Sequence, residues 1–399
     1  MTLALTRWRT WLGAASDAEI RYSAAASYDQ MPALDGLRAA SILMVFVSHS
    51  GFGGIVPGGF GVTVFFFVSG LLITRQLLAE IAATGTVSLW RFMMRRFLRL
   101  YPPLVLMVAV VVPVYLLIGG HMLRIQVISA LLYLSNYAQL ISGWLDNPAT
   151  RHTPLDILWS LAVEEHFYLV FPLLILGLCR RPHRVVAGLM VVMTAVTLWR
   201  LTLAGLCQHS AVGVCIGGLP DRIEAATDTR VDSILYGALL AALLDGRWRQ
   251  KVLHVVQRPA AFAAGIVLLL FSFLWRDPIF RDSMRYTVQG VGLLLVVGSV
   301  LFAPGLAWPR RILSGPVARL IGRWSYSIYL YHYAIIACCL QAIFGSVEPV
   351  APDQQIWLRH ALLLILPASL TLAALSYYGV ERPVLRLRRR FAAKGLASH

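Results

Sequence analysis

The sequence predicts an all-α protein, a polytopic transmembrane helical bundle. Of its 399 residues, 58% are hydrophobic and only 14% are charged, and the mean hydropathy is +0.70. An ordinary soluble domain has about 45–50% apolar and about 25% charged residues. The apolar excess recurs along the whole chain, which excludes a disordered protein and a soluble globule with one hydrophobic anchor.

Ten apolar segments are long enough, or nearly so, to cross ~30 Å of hydrocarbon at 1.5 Å per residue. The segment 231–244 is short and needs flanking residues to span. The segment 125–141 contains several polar side chains and is predicted to be interfacial or re-entrant, which requires cover by protein or a water-filled cavity. The ten predicted spans are 34–50, 59–79, 103–119, 158–178, 184–204, 231–244, 259–275, 286–303, 324–345 and 358–378.

The basic residues predict the orientation of these spans. The formal net charge is +16, which in a soluble domain would suggest a nucleic-acid partner. Here the arginines lie in short loops between apolar segments, so we expect no nucleic acid and read them by the positive-inside rule. If 125–141 does not cross, the dense basic clusters share one side, apart from one group, Arg276, Arg281 and Arg285.

This orientation predicts three parts of the chain. They are a cytoplasmic amino-terminal arm over 1–33, a transmembrane domain over 34–383 and a basic cytoplasmic tail over 384–399, with both termini cytoplasmic. The loop with Cys207 and Cys215 then lies on the outer side, where a periplasm would allow a disulfide. Two free thiols fit the spacing equally well. The five cysteines show no metal-site spacing, so we expect no metal.

Ionisable residues inside the first span indicate a function or a partner, since each costs about 2.5–3.5 kcal/mol to insert. Arg38 and His49 are eleven residues apart, which places them on one helix face and ~16 Å apart along the axis. The alternative is structural: Arg38 pairs with Asp35 at the interface, and His49 bonds to a neighbouring helix.

A second basic motif opens the third span. Arg96 and Arg99 are three residues apart and therefore share a helix face. Two forked guanidiniums at a membrane mouth suit a diphosphate. Plain positive-inside anchoring explains them equally well.

Polar residues at the outer ends of two further spans are candidate acceptor contacts. Trp159, Ser160, Glu164 and Glu165 open the fourth span, where the carboxylates could instead complement the helix dipole. Arg230 and Asp232 begin the sixth, and a structural ion pair between them is equally plausible. His332 lies among tyrosines in the ninth span and is expected to be a packing residue.

These pieces in this order resemble acyltransferase family 3, the bacterial integral-membrane O-acyltransferases of carbohydrates. The resemblance extends from about residue 34 to residue 383. The matching segments are Leu34-Asp35-Gly36-Leu37-Arg38 with His49, Gly58 to Val62 before Phe66 to Gly70, Arg96 to Arg99, Trp159 to Glu165, Thr229 to Asp232, Tyr326 to His332, and Glu381-Arg382-Pro383.

The resemblance implies a ten-helix bundle of the bacterial inner membrane. Such proteins transfer an acyl group, usually acetyl from cytoplasmic acetyl-CoA, to a sugar hydroxyl of a surface polysaccharide, lipopolysaccharide, peptidoglycan or lipo-chitooligosaccharide. Arg38 with His49, and Arg96 with Arg99, match the family's two basic motifs. His166 stands where the family usually has glutamine. Some members continue into a hydrolase-like soluble domain, which we do not expect here.

Acyl transfer assigns a role to each candidate residue. His49 would be the base, or would form an acyl-histidine intermediate, with Arg38 and Glu164 as further catalytic residues. Acyl-CoA enters as a substrate held by three arginines, and no bound cofactor is expected. The predicted donor contacts are Arg38, Arg96 and Arg99, and the predicted acceptor contacts are Trp159, Ser160, Glu165, Arg230 and Asp232.

Two other classes of function remain open. Intramembrane Arg, Glu and His also serve proton relays, so the runner-up is a proton-coupled transporter of a glycan or lipid. The sequence lacks a matched pair of broken spans in two halves, which is the usual sign of an inverted-repeat carrier. An accessory membrane subunit without catalysis is the third possibility.

Overall fold

The computed structural model describes residues 31–144, 152–178, 182–209, 219–347 and 351–388, and within them the regular structure is helical with no strand. Most of the predicted arm 1–33 and tail 384–399 lies outside these ranges. The Cys207–Cys215 alternatives also concern side chains outside the described part.

Seventeen α-helices, joined by short π-helical and 3-10 turns, make up the described chain. The first nine are α1 Pro32–Val47, α2 Gly58–Thr84, α3 Leu89–Leu117, α4 Arg124–Leu131, α5 Ser135–Trp144, α6 Trp159–Leu178, α7 Pro182–His209, α8 Leu219–Ala225 and α9 Thr227–Asp245. The others are α10 Arg249–Val256, α11 Pro259–Leu274, α12 Pro278–Asp282, α13 Arg285–Phe302, α14 Ala307–Leu313, α15 Pro316–Phe344, α16 Pro352–Ser376 and α17 Arg382–Arg388.

The structure confirms a polytopic helical bundle. Each of the ten predicted spans coincides with a helix, and among the described residues seven helices are long and apolar enough to cross a membrane. An eighth span results if α10 and α11, which meet at a 75° bend, count as one. The two remaining predicted spans correspond to α1, which has 16 residues, and α9, which has 19.

Helix α9 departs from a simple apolar span because it lies inside the bundle. Its first turns carry Asp228, Arg230 and Asp232, yet nearly all residues from Thr229 to Ala242 are buried. Neighbouring helices supply a partner for each of these side chains, as membrane interiors require. A helix covered by protein does not need the hydropathy of one that faces lipid.

The predicted non-crossing segment 125–141 is two short helices. Helix α4 has 8 residues and α5 has 10. At 1.5 Å per residue, neither reaches more than about 15 Å, half of the hydrocarbon thickness. Its polar residues are covered by protein: Asn136 is fully buried, and its side-chain amide donates to Thr227 on α9.

The centre of the bundle is formed by α2 against α9, with α1 against α15 beside them. Helices α2 and α9 touch backbone to backbone, because a Cβ at Gly70 would lie 1.9 Å from the Ile234 carbonyl oxygen. A Cβ at Gly237 would likewise lie 1.8 Å from the carbonyl oxygen of Phe67. Small residues at such crossings allow helices to approach closely in a membrane.

Candidate active site

Two cavities lie on either side of Tyr329 in the bundle. The smaller one, with a volume of about 80 Å³, we call the arginine pocket. The larger one, with a volume of about 580 Å³, we call the histidine cavity. Val62 and Tyr329 line both of them, so the two spaces share one partition. The polar residues of the arginine pocket are Arg38, Ser69, Gln76, Arg96, Arg99, Ser160, Glu164, Tyr168, Ser325, Tyr326 and Tyr329.

Helices α1 and α3 supply the guanidiniums of the arginine pocket. Arg96 and Arg99 both line it, which agrees with their predicted common face, and Arg38 joins them from α1. Arg96 is buried, donates to the Gln76 side-chain oxygen, and places its guanidinium 5.7 Å from the Tyr168 ring centroid. Three arginines outnumber the one carboxylate of the lining, Glu164, and the resulting excess of positive charge favours an anionic ligand.

Arg95 shows that the positions on α3 differ in role. Its guanidinium makes a salt bridge of 2.9 Å to Glu80 on α2. Glu80 also accepts the backbone N–H of Ser88 at 3.0 Å. Arg95 therefore joins α3 to α2, whereas its neighbour Arg96 faces the pocket.

Glu164 also lines the arginine pocket, one helical turn after Ser160. It thus lies among the three arginines and does not line the cavity that holds His49, so a catalytic role of Glu164 would act from the arginine pocket. Glu165, the neighbouring candidate for acceptor binding, lines neither cavity. Successive residues of a helix point about 100° apart, which separates the two carboxylates.

His49 lies in the histidine cavity at the end of α1. The helix passes there into a π-helical turn, Ser48–Phe52, in which Gly51 has φ = 86°. A Cβ at Gly51 would lie 2.6 Å from the Gln355 carbonyl oxygen, so both the backbone angle and the contact require glycine. This turn carries His49 into the cavity, while Arg38 stays eleven residues away in the arginine pocket.

His332 is the hydrogen-bond partner of His49. The Nδ1 atom of His49 lies 3.1 Å from Nε2 of His332, which is fully buried on α15. The other nitrogen of His332, Nδ1, lies 2.8 Å from the Tyr329 carbonyl oxygen and 3.1 Å from that of Ile328. The pair thus links the cavity to the backbone of α15. His332 is more than a packing residue.

Trp159 and Ser160 open α6 and face different cavities. Trp159 lines the histidine cavity and packs edge to face on Phe66, with 6.2 Å between ring centroids. Ser160 lines the arginine pocket, and its hydroxyl lies 2.7 Å from the Tyr329 hydroxyl. Ser160, which was predicted to contact the acceptor, therefore lies next to Tyr329, the residue that separates the two cavities.

Asp232 forms a buried ion pair, but its partner is Arg200 and not Arg230. Both side chains are fully buried, and Nη2 of Arg200 lies 2.6 Å from Oδ2 of Asp232. A second bond of 2.8 Å joins Nη1 to Oδ1. Neither residue lines the arginine pocket or the histidine cavity. This bidentate, fully desolvated pair joins α7 to α9 and holds Asp232 away from both cavities, so the structure gives no support to its predicted contact with the acceptor.

Arg230 occupies an aromatic cage behind both cavities. Its guanidinium lies 4.0 Å from the Tyr286 ring centroid, 5.5 Å from Phe66 and 6.0 Å from Trp159. It also donates to Thr63 on α2 at 3.2 Å. Cation–π contacts of this kind stabilise a buried guanidinium. Arg230 lines neither cavity, so the structure gives no support to its predicted contact with the acceptor. It packs instead against Phe66 and Trp159, which line the arginine pocket and the histidine cavity respectively.

His166, the departure from the usual glutamine, lies outside both cavities. Its Nδ1 atom is 2.7 Å from the Thr227 hydroxyl, and its ring stacks on Tyr137 with 6.1 Å between centroids. The residue connects α6 with α5 and α9. Its role in this structure is packing.

The sequence reasoning missed His332, Tyr329 and the carboxylates of the histidine cavity. Asp156 and Glu224 line that cavity with His152, Gln139 and Gln355. The available signal was the motif containing Tyr329 and His332, in which two polar residues lie three apart on one face of a span. Glu224 lies within the short helix α8 and Asp156 begins a 3-10 turn, and in such short elements a carboxylate gives no signal that it lines a cavity.

The fold and the cavities define a multi-pass membrane protein with a cationic pocket and an imidazole pair on opposite sides of one partition. The chain belongs to the acyltransferase family whose model, described as an acyltransferase domain, matches residues 31–378. It is 29% identical to O-acetyltransferase OatA of Staphylococcus aureus strain NCTC 8325 over 89% of its own length. It is also 29% identical, over 88% of its length, to a protein of strain MSSA476 named "Putative O-acetyltransferase SAS0844". The chain spans 57% of the length of these relatives. No solved structure matches it.

Proposed function

We propose that the chain is a membrane O-acyltransferase that moves an acyl group, acetyl in the simplest case, from acyl-CoA to a hydroxyl of a cell-surface or exported carbohydrate. The observation that carries the proposal is the shared partition: the arginine pocket and the histidine cavity adjoin at Val62 and Tyr329. A donor and an acceptor that enter from separate sides would meet there. The names of the two staphylococcal relatives support O-acetyl transfer.

The arginine pocket is the proposed site for the phosphates of acyl-CoA. Arg38, Arg96 and Arg99 line it together, and guanidiniums bind phosphate oxygens through paired, charge-assisted hydrogen bonds. Arg38 and His49 are eleven positions apart along α1 and its π-helical turn, an axial distance of ~16 Å. An extended pantetheine arm has a similar length, so phosphates held by the arginines allow the thioester to reach His49.

The hydrogen bonds of His332 select the tautomer of His49. Backbone carbonyls only accept, so Nδ1 of His332 carries the hydrogen and donates it to Tyr329. When both rings are neutral, Nε2 of His332 accepts from Nδ1–H of His49. The remaining nitrogen of His49, Nε2, then carries a lone pair in the cavity. His49 is thereby prepared as a general base or a nucleophile.

The chemical step balances with His49 alone as the proton carrier. In direct transfer, the sugar oxygen attacks the thioester carbonyl while its proton moves to Nε2 of His49. The C–S bond then breaks, and the CoA sulfur takes that proton from the imidazolium. In the two-step route, Nε2 attacks the thioester first, and the C–S bond breaks to release CoA as a thiolate. The sugar oxygen then attacks the acyl-imidazole, the N–C bond breaks, and the hydroxyl proton moves to the freed Nε2 and from there to the thiolate.

The histidine cavity is the proposed acceptor site. Its volume of about 580 Å³ falls within the roughly 300–1,000 Å³ of small-molecule sites. Trp159 offers an aromatic surface for the apolar face of a sugar ring, and Asp156, Glu224 and Gln355 offer acceptors and donors for hydroxyls. A neutral sugar unit fits this lining.

The basic clusters support a location in the bacterial inner membrane with both termini cytoplasmic. Two exposed loop positions test this orientation: Thr86, between α2 and α3, is proposed cytoplasmic, and Ile55, between α1 and α2, is proposed external. In a variant with its native cysteines replaced, an impermeant thiol reagent should label I55C in intact cells. T86C should react only after permeabilisation. The reverse pattern would invert the topology.

The function is tested on cells and on the purified chain. Deleting the gene should remove O-acetyl groups from one surface glycan, and the unaltered gene should restore them whereas H49A should not. The purified chain in lipid nanodiscs, given acetyl-CoA and neutral oligosaccharides of hexose and N-acetylhexosamine, should release free CoA as it adds acetyl to sugar. Substrate counterflow without CoA release would instead identify a transporter.

A further inference from the structure

We propose that Tyr329 and Val62 form a gate between the donor and acceptor sides, and that this gate makes the enzyme transfer its acyl group to sugar and not to water. The inference rests on the proposed function. Tyr329 and Val62 line both cavities, from α15 and α2 respectively. Both are buried, with 5% and 7% of their surface exposed.

Three contacts hold the Tyr329 side chain in the closed position. Its hydroxyl donates to the Ile157 carbonyl oxygen at 2.8 Å and accepts from the Ser160 hydroxyl at 2.7 Å. Its ring packs edge to face on Phe65, with 6.3 Å between centroids. These contacts tie α15 to α2 and to the start of α6. These contacts therefore hold the ring in place as a wall between the two cavities.

The position of the wall requires it to move during the reaction. Arg38, Arg96 and Arg99 lie on one side, and His49 lies on the other. An acyl arm anchored by the arginines reaches His49 only by passing between Tyr329 and Val62. We infer that the incoming arm displaces the Tyr329 ring and releases its hydroxyl from Ile157 and Ser160.

The same residue also connects the gate to the reactive imidazole. The Tyr329 carbonyl oxygen accepts the Nδ1–H of His332, and His332 in turn accepts from His49. The backbone of Tyr329 therefore orients the histidine pair, while its side chain separates that pair from the donor. While the Tyr329 ring closes the gap, water of the histidine cavity does not reach a thioester that waits on the donor side, which suppresses thioester hydrolysis.

The gate is tested by the ratio of hydrolysis to transfer in the full chain in nanodiscs. Hydrolysis is free CoA released from acetyl-CoA without acceptor, when water attacks the thioester and gives acetate and CoA thiol. Transfer is acetyl ester formed on a neutral oligosaccharide. We expect Y329A to raise the ratio about tenfold and V62A less, because both enlarge the opening. Y329F keeps the ring but loses both hydrogen bonds and should give an intermediate value.

The matched control is Tyr331, a buried tyrosine on the same helix that lines neither cavity. Y331A should leave the ratio at the wild-type value. V62F narrows the passage and should lower transfer about tenfold or more while binding of acetyl-CoA stays unchanged. If Y329A does not fold, the ratios of hydrolysis to transfer in V62A and Y329F test the gate instead.

Unchanged ratios in Y329A and V62A, or an equal rise in Y331A, would overturn the gate. A wild-type chain that transfers no acetyl group would overturn the proposed function instead. The two failures are thus distinguishable.

Discussion

The arginine pocket and the histidine cavity are built in opposite ways. The cationic pocket draws two of its three arginines from a single helical turn of α3, Arg96 and Arg99. The histidine pair joins residues 283 positions apart, His49 at the end of α1 and His332 on α15. The arginines proposed to bind the donor come from a local motif, whereas the proposed reactive pair of histidines forms only when distant helices of the bundle pack together. We therefore predict that substitutions in the histidine cavity lower kcat, whereas substitutions in the arginine pocket raise the KM for acetyl-CoA.

The largest effect on catalysis is expected from H49A. Loss of a general base typically costs about 10²–10⁴-fold in rate, so kcat should fall by this amount. The KM for acetyl-CoA should stay within about twofold, because the arginine pocket is intact. The measurement is steady-state release of CoA with acceptor present.

A matched control for H49A is H360A. His360 is exposed, and its Nδ1 atom bonds only to the carbonyl of Ile356 in its own helix, at 2.8 Å. H360A should retain wild-type kinetics. Full activity in H49A would refute the assignment of the reactive imidazole to this cavity.

The largest effect on stability is expected outside both regions, in R200M. This variant leaves Asp232 buried without its partner, which typically costs about 3–5 kcal/mol of the free energy of unfolding. R222M is the control, since the Arg222–Asp228 pair is partly exposed and such pairs contribute about 0–1 kcal/mol. Thermal unfolding in detergent should show a much lower Tm for R200M than for R222M. Equal shifts would contradict the structural role of Arg200.

His332 gives a smaller effect that still belongs to the histidine cavity. In H332L nothing accepts the Nδ1–H of His49, and kcat should fall about 10–100-fold, as for other orienting partners of a reactive histidine. In H332Q the amide oxygen can accept that hydrogen, so part of the activity should return. Equal kcat values in H332L and H332Q would show that His332 serves in packing and does not orient His49.

The smallest effect is expected in the arginine pocket. R99Q removes one guanidinium from three, and a hydrogen bond to a charged group is worth about 1.5–3 kcal/mol, so the KM for acetyl-CoA should rise about tenfold or more. R91Q on the same helix is the control, because Arg91 lines neither cavity. A fall in kcat at unchanged KM in R99Q would remove the proposed difference between the two regions.

Sequence reasoning succeeded where a function depends on residues close in the chain. The spacing of Arg96 and Arg99 defines a helix face, and the structure places both in one pocket. The ten apolar segments all became helices for the same reason, since hydropathy is a local property. Only the interior helix α9 is too polar for a lipid-facing span, because its neighbours replace the lipid.

The partners of polar residues could not be predicted, because they depend on which helices meet. Asp232 has Arg230 two residues away in sequence, yet it pairs with Arg200 on α7. Residues two apart on a helix point in different directions, which excludes the nearer arginine. For the same reason, the sequence did not predict that His49 contacts His332 or that Glu164 lies among arginines.

The glycine crossing of α2 and α9 has a consequence for how an acyl group could travel through the protein. With the carbonyls of Phe67 and Ile234 already occupying the space of absent methyl groups, the two helices have no room to slide or tilt past each other. The α2–α9 crossing is therefore one of the most closely packed parts of the described bundle. Under the proposed function, the acyl arm would then pass the partition through rotation of the Tyr329 side chain, while the backbones of these two helices keep their places.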